Sequence, residues 1–207
     1  MAGTADDPSE AATPEPRLAP LPPSDWPPEM RDAIAALRPP EPRHTLSSGS
    51  GRPKALNALG TLAHHPALTR AFNTFNGHVL LATTLSPRQR ELLVLRVAAR
   101  RRSAYEWAQH AVLAGDADLG EDDVARIAMG PDAPGWSALD AAMLRAVDEL
   151  LDDALVTDAT WAVLAAELDD RQLMDLVFTV GAYDLLAMAF RTFGVPLDDD
   201  LRPDTAP

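Results

Sequence analysis

The stretch Leu85–Gly115, LSPRQRELLVLRVAARRRSAYEWAQHAVLAG, decides the fold. It opens on Ser86-Pro87-Arg88-Gln89, which offers a serine N-cap, a proline at the first helical position and a glutamine at the third. From Leu92 to Ala99 the residues are apolar except for Arg96, with Glu91 just before them, and the stretch predicts a helix over 86–101. The segment Arg102–Ala104 predicts a short turn, after which a second helix over 104–116 folds back on the first. The result is an antiparallel helix pair at the heart of the molecule.

The same three- and four-residue apolar spacing extends outward and predicts helices over 54–63, 66–82, 121–128, 137–152, 158–168 and 170–192. Ser137 with Asp140 and Thr157 with Thr160 supply further caps, and Gly115, Gly120, Gly130, Pro131, Pro134 and Gly135 punctuate the connections. No stretch alternates with period two, so the fold class is all-α. The most apolar run, Leu176–Phe190, contains Asp184 and is shorter than the roughly 20 residues of a membrane span, so it reads as a buried helix. Helix 173–190 carries more apolar surface than a body of this size needs, which points to a homo-oligomer. Gly181 reads as a close-packing point on it, and the Tyr183 hydroxyl as a group in need of a partner, within reach of a pocket. Asp198–Asp200 reads as a solvated acidic tail.

Residues 1–50 hold eleven prolines and predict a flexible N-terminal arm ahead of a helical domain over 51–207. One short helix, Glu29–Leu37, is expected to dock on the body, and the arm has the alternative of wrapping a neighbouring subunit. The formal net charge of −13 disfavours nucleic acid and anionic membranes, because phosphate contacts need clustered Lys and Arg. The chain has no cysteine, which excludes disulfides, thiolate nucleophiles and Cys metal ligands. The opening MAGTADDPSE lacks the basic and apolar regions of a secretory signal, and a cytoplasmic setting is expected.

Chemistry is concentrated in the central pair. Glu106 and His110 stand four apart and share a helix face, and a carboxylate beside an imidazole orients it for acid–base work. Spacing alone equally describes an ordinary helix-surface pair. Glu91, on the preceding apolar helix, needs a partner or a cavity, and the turn brings it toward Glu106 and His110. Tyr105 and Trp107 flank the pair. The Arg100–Arg102 run either complements a helix C-terminus or captures a substrate carboxylate. Arg96 is positioned to pair across a turn with Glu91 or at a subunit contact. The spacing of His64, His65, His78 and His110 fits no metal-ligand pattern, so no metal site is expected.

Several segments, in order, resemble the carboxymuconolactone decarboxylase family, which shares the alkylhydroperoxidase-D-like (AhpD-like) fold. They are AHHPALTRAFNTFNGHVL, LSPRQRELLVLRVA, YEWAQH, LDAAMLRAVDELL, TWAVLAAEL and LMDLVFTVGAYDLLAMAF. The resemblance implies trimers or hexamers with a pocket near a subunit boundary, and no cofactor. Redox members carry a Cys-x-x-Cys pair whose matching positions here are Ser103 and Glu106, so thiol peroxidase activity is not expected. Decarboxylase members carry a Glu and a His at the spacing of Glu106 and His110, often with another His where this chain has Tyr105. The resemblance therefore assigns His110, Glu106 and Glu91 as catalytic. His110, oriented by Glu106, would be the proton donor, and Glu91 would orient His110 or relay a proton. Tyr105, His78, Trp107 and Ser103 are assigned to substrate binding, with Tyr105 donating to a substrate carbonyl; Trp107, like Trp136 and Trp161, has the alternative of a core or interface anchor. The reaction implied is a lyase or isomerase acting on a small carboxylated or lactone-type molecule. The alternative is a catalytically silent helical oligomer, in which those three side chains are dispersed or packed without a cavity.

Overall fold

Among the residues described by the computed structural model, 15–45 and 54–201, every regular element is helical. In chain order these are α1 (Met30–Ala35), α2 (Leu56–Leu62), α3 (Pro66–Gly77), α4 (Pro87–Arg101), α5 (Ala104–Ala114), α6 (Glu121–Met129), α7 (Ala138–Asp153), α8 (Asp158–Glu167) and α9 (Asp170–Phe193). Short 3-10 turns lie at Pro23–Asp25 and Gly115–Ala117.

Helix α4 is the axis. Ser86 accepts from the Gln89 amide and Gln89 reaches back to the Ser86 amide, so the capping box forms as its residues dictate. Leu92, Leu93, Val94, Leu95, Val97 and Ala98 are all fully buried, so the helix is apolar nearly all round and must be enclosed. Leu93, Val94 and Val97 pack with Met143, Ala146 and Val147 of α7 and with Val180, Tyr183 and Leu186 of α9. Leu92, Leu95 and Ala98 pack on the other side with Trp107 and Ala114 of α5, Ile127 of α6 and Leu144 of α7. Each fully buried leucine contributes about 2 kcal/mol of transfer energy, so α4 supplies much of the drive for assembly. Arg102 takes a left-handed conformation (φ 51°), and the Ser103 amide bonds back to the Ala98 carbonyl. That reversal turns α5 antiparallel to α4, as the sequence predicts.

Arg96 pairs not with Glu91 but with both Asp148 oxygens at 2.7 Å, and also donates to the Ile127 and Ala128 carbonyls at the end of α6. Arg100 pairs with Asp148 and Asp152, and Arg101 with Asp184. The basic run thus ties α4 to α7 and α9.

The predicted helix 66–82 divides. Its last five residues, His78–Ala82, form a π-helical turn. Carbonyls of this last turn have no helical partner and other segments use them: Leu80 accepts from Arg90, and Leu81 accepts from the Arg43 and His44 amides.

The largest departure from expectation lies before α2. Residues 15–45 are not a flexible arm but a strap laid on the helices. The Leu18 amide bonds to Phe193, the Leu21 amide to Gly60, and Asn73 to the Ala33 carbonyl. Met30 and Ala33 of α1 bury against Ala63, the docking expected for this helix. Two glycines make this approach possible. A Cβ on Gly60 would lie 2.4 Å from the Leu21 carbonyl oxygen, and one on Gly77 would lie 2.6 Å from that of Leu37. Residues 1–14 and 46–50 of the expected arm lie outside the described residues.

The C-terminal segment after α9 also differs from the expected solvated tail. Asp198 is buried and accepts from the Asn57 amide (2.7 Å), Tyr105 (2.7 Å) and Gln109 (3.0 Å). Helix α9 is long and apolar enough to cross a membrane, yet Leu173, Leu176, Val180, Tyr183 and Phe190 belong to the main core. Its other face leaves Met174, Phe178, Leu185 and Met188 at least half exposed. Gly181 stands on this open face, and among the described residues nothing lies within 4 Å of its Cβ position.

Candidate active site

Glu91 lies in the first half of α4 and His110 late in α5, and the antiparallel turn sets them side by side. His110 Nδ1 lies 2.7 Å from Glu91 Oε2, with both side chains almost wholly enclosed. The other Glu91 oxygen accepts from Arg90, whose guanidinium is anchored on the Leu80 carbonyl at 2.7 Å. Burial alone would raise the Glu91 carboxyl, but His110 and Arg90 outweigh it and hold the group below its ordinary value. Glu91 is therefore a carboxylate, Nδ1–H donates to it, and Nε2 is the ring nitrogen left for other chemistry.

Glu106 is in the opposite condition. It is buried, and neither oxygen has a hydrogen-bond partner. Burial pushes its carboxyl up to about 8, the nearby Asp184 charge acts in the same direction, and the Ser103 hydroxyl opposes without completing a hydrogen bond. Near neutral pH Glu106 is thus a neutral acid. Sequence spacing pairs it with His110; the structure gives that place to Glu91 and leaves Glu106 as a separate, unpartnered acid.

Glu91, Glu106 and His110 all line one cavity of about 700 Å³. The catalytic trio predicted from sequence is brought together, but the four residues assigned to substrate binding are not. Tyr105 lines the cavity, yet its hydroxyl is committed: it donates to Asp198 at 2.7 Å and accepts from the Ala58 amide and Gln109. Burial and the Asp198 carboxylate push its phenol far up, so it serves as a structural post and not as a donor to substrate. Trp107 points away, into the core between α4, α6 and α7, as its position one residue beyond Glu106 on α5 requires. Ser103 is buried behind Glu106 at the start of α5, outside the cavity wall. His78 is half exposed and donates to Asp175, which also accepts from the Thr84 amide and hydroxyl; this latch fastens the π turn to α9 and lies outside the cavity. The Arg100–Arg102 run is likewise absent from the wall, so it captures no ligand there.

Tyr183 of α9 also faces this cavity. Its ring meets the His110 ring edge-on at 5.0 Å. Burial, then the Glu91 charge, push its phenol far up, so it remains a proton-bearing donor.

Residues 66–149 match the sequence profile of the carboxymuconolactone decarboxylase family. That segment, from α3 into α7, is of this family. A comparison with curated protein sequences gives no match. Solved structures share the fold of this chain at low identity. A peroxidase-related protein with an AhpD core from Ralstonia eutropha JMP134 is 19% identical and has a TM-score of 0.62, over 78% of this chain and 95% of that one. A protein of unknown function from Agrobacterium tumefaciens, suggested to be the antioxidant defence protein AhpD, is 17% identical with a TM-score of 0.61, over 66% and 94%. The debrominase Bmp8 is 12% identical with a TM-score of 0.64, over 88% and 92%. These likenesses establish the AhpD-like fold of this chain. With no cysteine of its own, the chain has no thiol with which to perform peroxidatic chemistry.

Proposed function

We propose that this protein is an acid–base enzyme that carries a small carboxylated or lactone-type molecule through an enolate, by decarboxylation or isomerisation. One observation carries the reading: a Glu91 carboxylate bonded to His110 and a neutral Glu106 face the same cavity. Two titratable groups whose surroundings drive them apart are what a reaction needing both a base and an acid at one pH requires. The silent-scaffold alternative calls for dispersed side chains or no cavity, and neither condition is met.

In decarboxylation the electrons of the breaking carbon–carbon bond move onto the conjugated carbonyl oxygen, carbon dioxide leaves, and Glu106 delivers its proton to carbon. In isomerisation His110 Nε2 removes a proton beside the carbonyl and Glu106 protonates the distal carbon. Tyr183 is placed to stabilise the oxyanion in either case. The test is deuterium exchange and carbon dioxide release from a panel of unsaturated lactone acids and keto acids, followed by NMR. The wild type should exchange, whereas His110→Gln and Glu106→Gln should lose at least a hundredfold with unchanged helical content. Full exchange by His110→Gln removes the imidazole from the reaction.

Self-association belongs to the same reading. Met174, Phe178, Gly181, Leu185 and Met188 follow one another at alternating four- and three-residue steps, the seam of a helix that packs against another helix. We assign that seam to a second copy of the chain.

A further inference from the structure

The strap precedes the region that matches the family, yet it builds part of the cavity. Ile34 and Leu37 of the strap line an apolar lobe with Leu59, Leu62 and Phe72, and the exposed Arg43 and Lys54 also line the cavity. The Arg43 segment is firmly seated. The Arg43 and His44 amides both donate to the Leu81 carbonyl, at 2.6 and 2.9 Å, and His44 Nε2 reaches the Thr83 and Leu85 carbonyls at 3.2 and 3.1 Å.

Several arginines of the molecule are already neutralised by carboxylates. In a chain with formal net charge −13, Arg88, Arg96, Arg100, Arg101, Arg126 and Arg145 each hold a carboxylate. Arg43 and Lys54 form no ion pair among the described residues. Inside the cavity, the charge of Glu91 is met by Arg90 and Glu106 is neutral near pH 7, leaving Asp116 as the other acid of the wall. An anion at the Arg43–Lys54 end therefore meets net positive charge, and an apolar group beyond it meets only aliphatic and aromatic surface.

Resting on the acid–base reading above, we infer that Arg43 and Lys54 are the specificity-determining cations of the site, and that the substrate is a carboxylate bearing an extended apolar tail. The carboxylate sits between the two rim cations. The tail fills the lobe between α1, α2 and α3, and the reacting carbon lies between His110 and Glu106. A cavity of about 700 Å³ has room for such a molecule, well beyond a bare lactone acid.

Isothermal titration with three probes tests this on the full chain: octanoate, its uncharged isostere octanamide, and the tail-less anion acetate. Octanoate should bind at least tenfold more tightly than either, and more weakly as salt rises. The double variant Arg43→Gln/Lys54→Gln should lose about tenfold for octanoate and nothing for octanamide, as expected for two partly exposed charge contacts. Helical content and thermal midpoint serve as the check that the strap stays in place. Octanamide binding as tightly as octanoate, unchanged octanoate affinity in the double variant, or no saturation by octanoate overturns the inference. His110→Gln and Glu106→Gln should keep octanoate affinity within threefold, so this assignment and the acid–base reading can fail separately: the first by titration, the second by deuterium exchange.

Discussion

Replacing Glu106 by Gln should make the protein more stable at alkaline pH while abolishing its chemistry. The carboxyl stands near 8 in the folded chain against 4.5 when solvated, because it is buried without a partner. Below 4.5 both states hold the proton and the group is neutral in its effect. Between the two values the unfolded chain ionises while the folded chain stays protonated, so folded stability falls as pH rises. The loss reaches about 3 kcal/mol at pH 7 and levels off near 5 kcal/mol above pH 8. Glutamine keeps the shape of the protonated acid and cannot ionise. The stability difference between Glu106→Gln and wild type should therefore grow by about 3 kcal/mol from pH 5 to pH 8, or roughly 6–12 °C in thermal midpoint for a chain of this size. Urea unfolding of both proteins at the two pH values measures it, and comparing slopes removes any constant effect of the amide itself. Parallel stability–pH curves would refute the claim that Glu106 is a buried, neutral acid, and the proton-donor role would go with it. Activity should follow the same titration, present while Glu106 is protonated and lost as pH rises through about 8.

Glu91→Gln removes the carboxylate held between Arg90 and His110, leaving an enclosed guanidinium short of a partner. It should lower stability by about 3 kcal/mol in urea unfolding and cut turnover at least tenfold. Tyr105→Phe should lower stability by about 1–3 kcal/mol through the unmatched Asp198 and Ala58 groups, yet leave the pH profile of turnover in place; a lost profile at normal stability would return Tyr105 to the chemistry. Leu185→Glu, at the middle of the exposed α9 seam, should reduce the mass seen by light scattering to that of a single chain, with helical content preserved.

How much of this was legible in the sequence depends on the range of the interaction. The central pair was legible because its determinants are local: a Ser-Pro-x-Gln start, an unbroken apolar run, and a turn at Arg102. Convergence of Glu91, Glu106 and His110 was legible for the same reason. Which acid touches the imidazole was not, since spacing along one helix favours Glu106 and only the placement of α4 against α5 gives the contact to Glu91. Trp107 was assigned to the site by proximity in sequence, but residues 105, 106, 109 and 110 face the cavity while 107 and 108 turn into the core. The strap was illegible because prolines announce only the absence of long helices. What seats it is backbone contact at Gly60 and Gly77, which read as ordinary members of helical segments.

The contrast between the two acids rests on their neighbours more than on burial. Glu91 and Glu106 are both removed from water, and burial alone would raise both carboxyls. His110, and after it Arg90, reverse the direction at Glu91, and the Leu80 carbonyl fixes the Arg90 guanidinium. That carbonyl lies in the last turn before Thr83, where helical carbonyls have no partner along the chain and are open to a side chain. Without the anchor the guanidinium is free to turn to solvent, and Glu91 loses part of the charge that holds its carboxyl down. The irregular turn at 78–82, the cation at 90 and the base at 110 thus act as one unit. Glu106 acts as an acid beside them because no cation stands next to it.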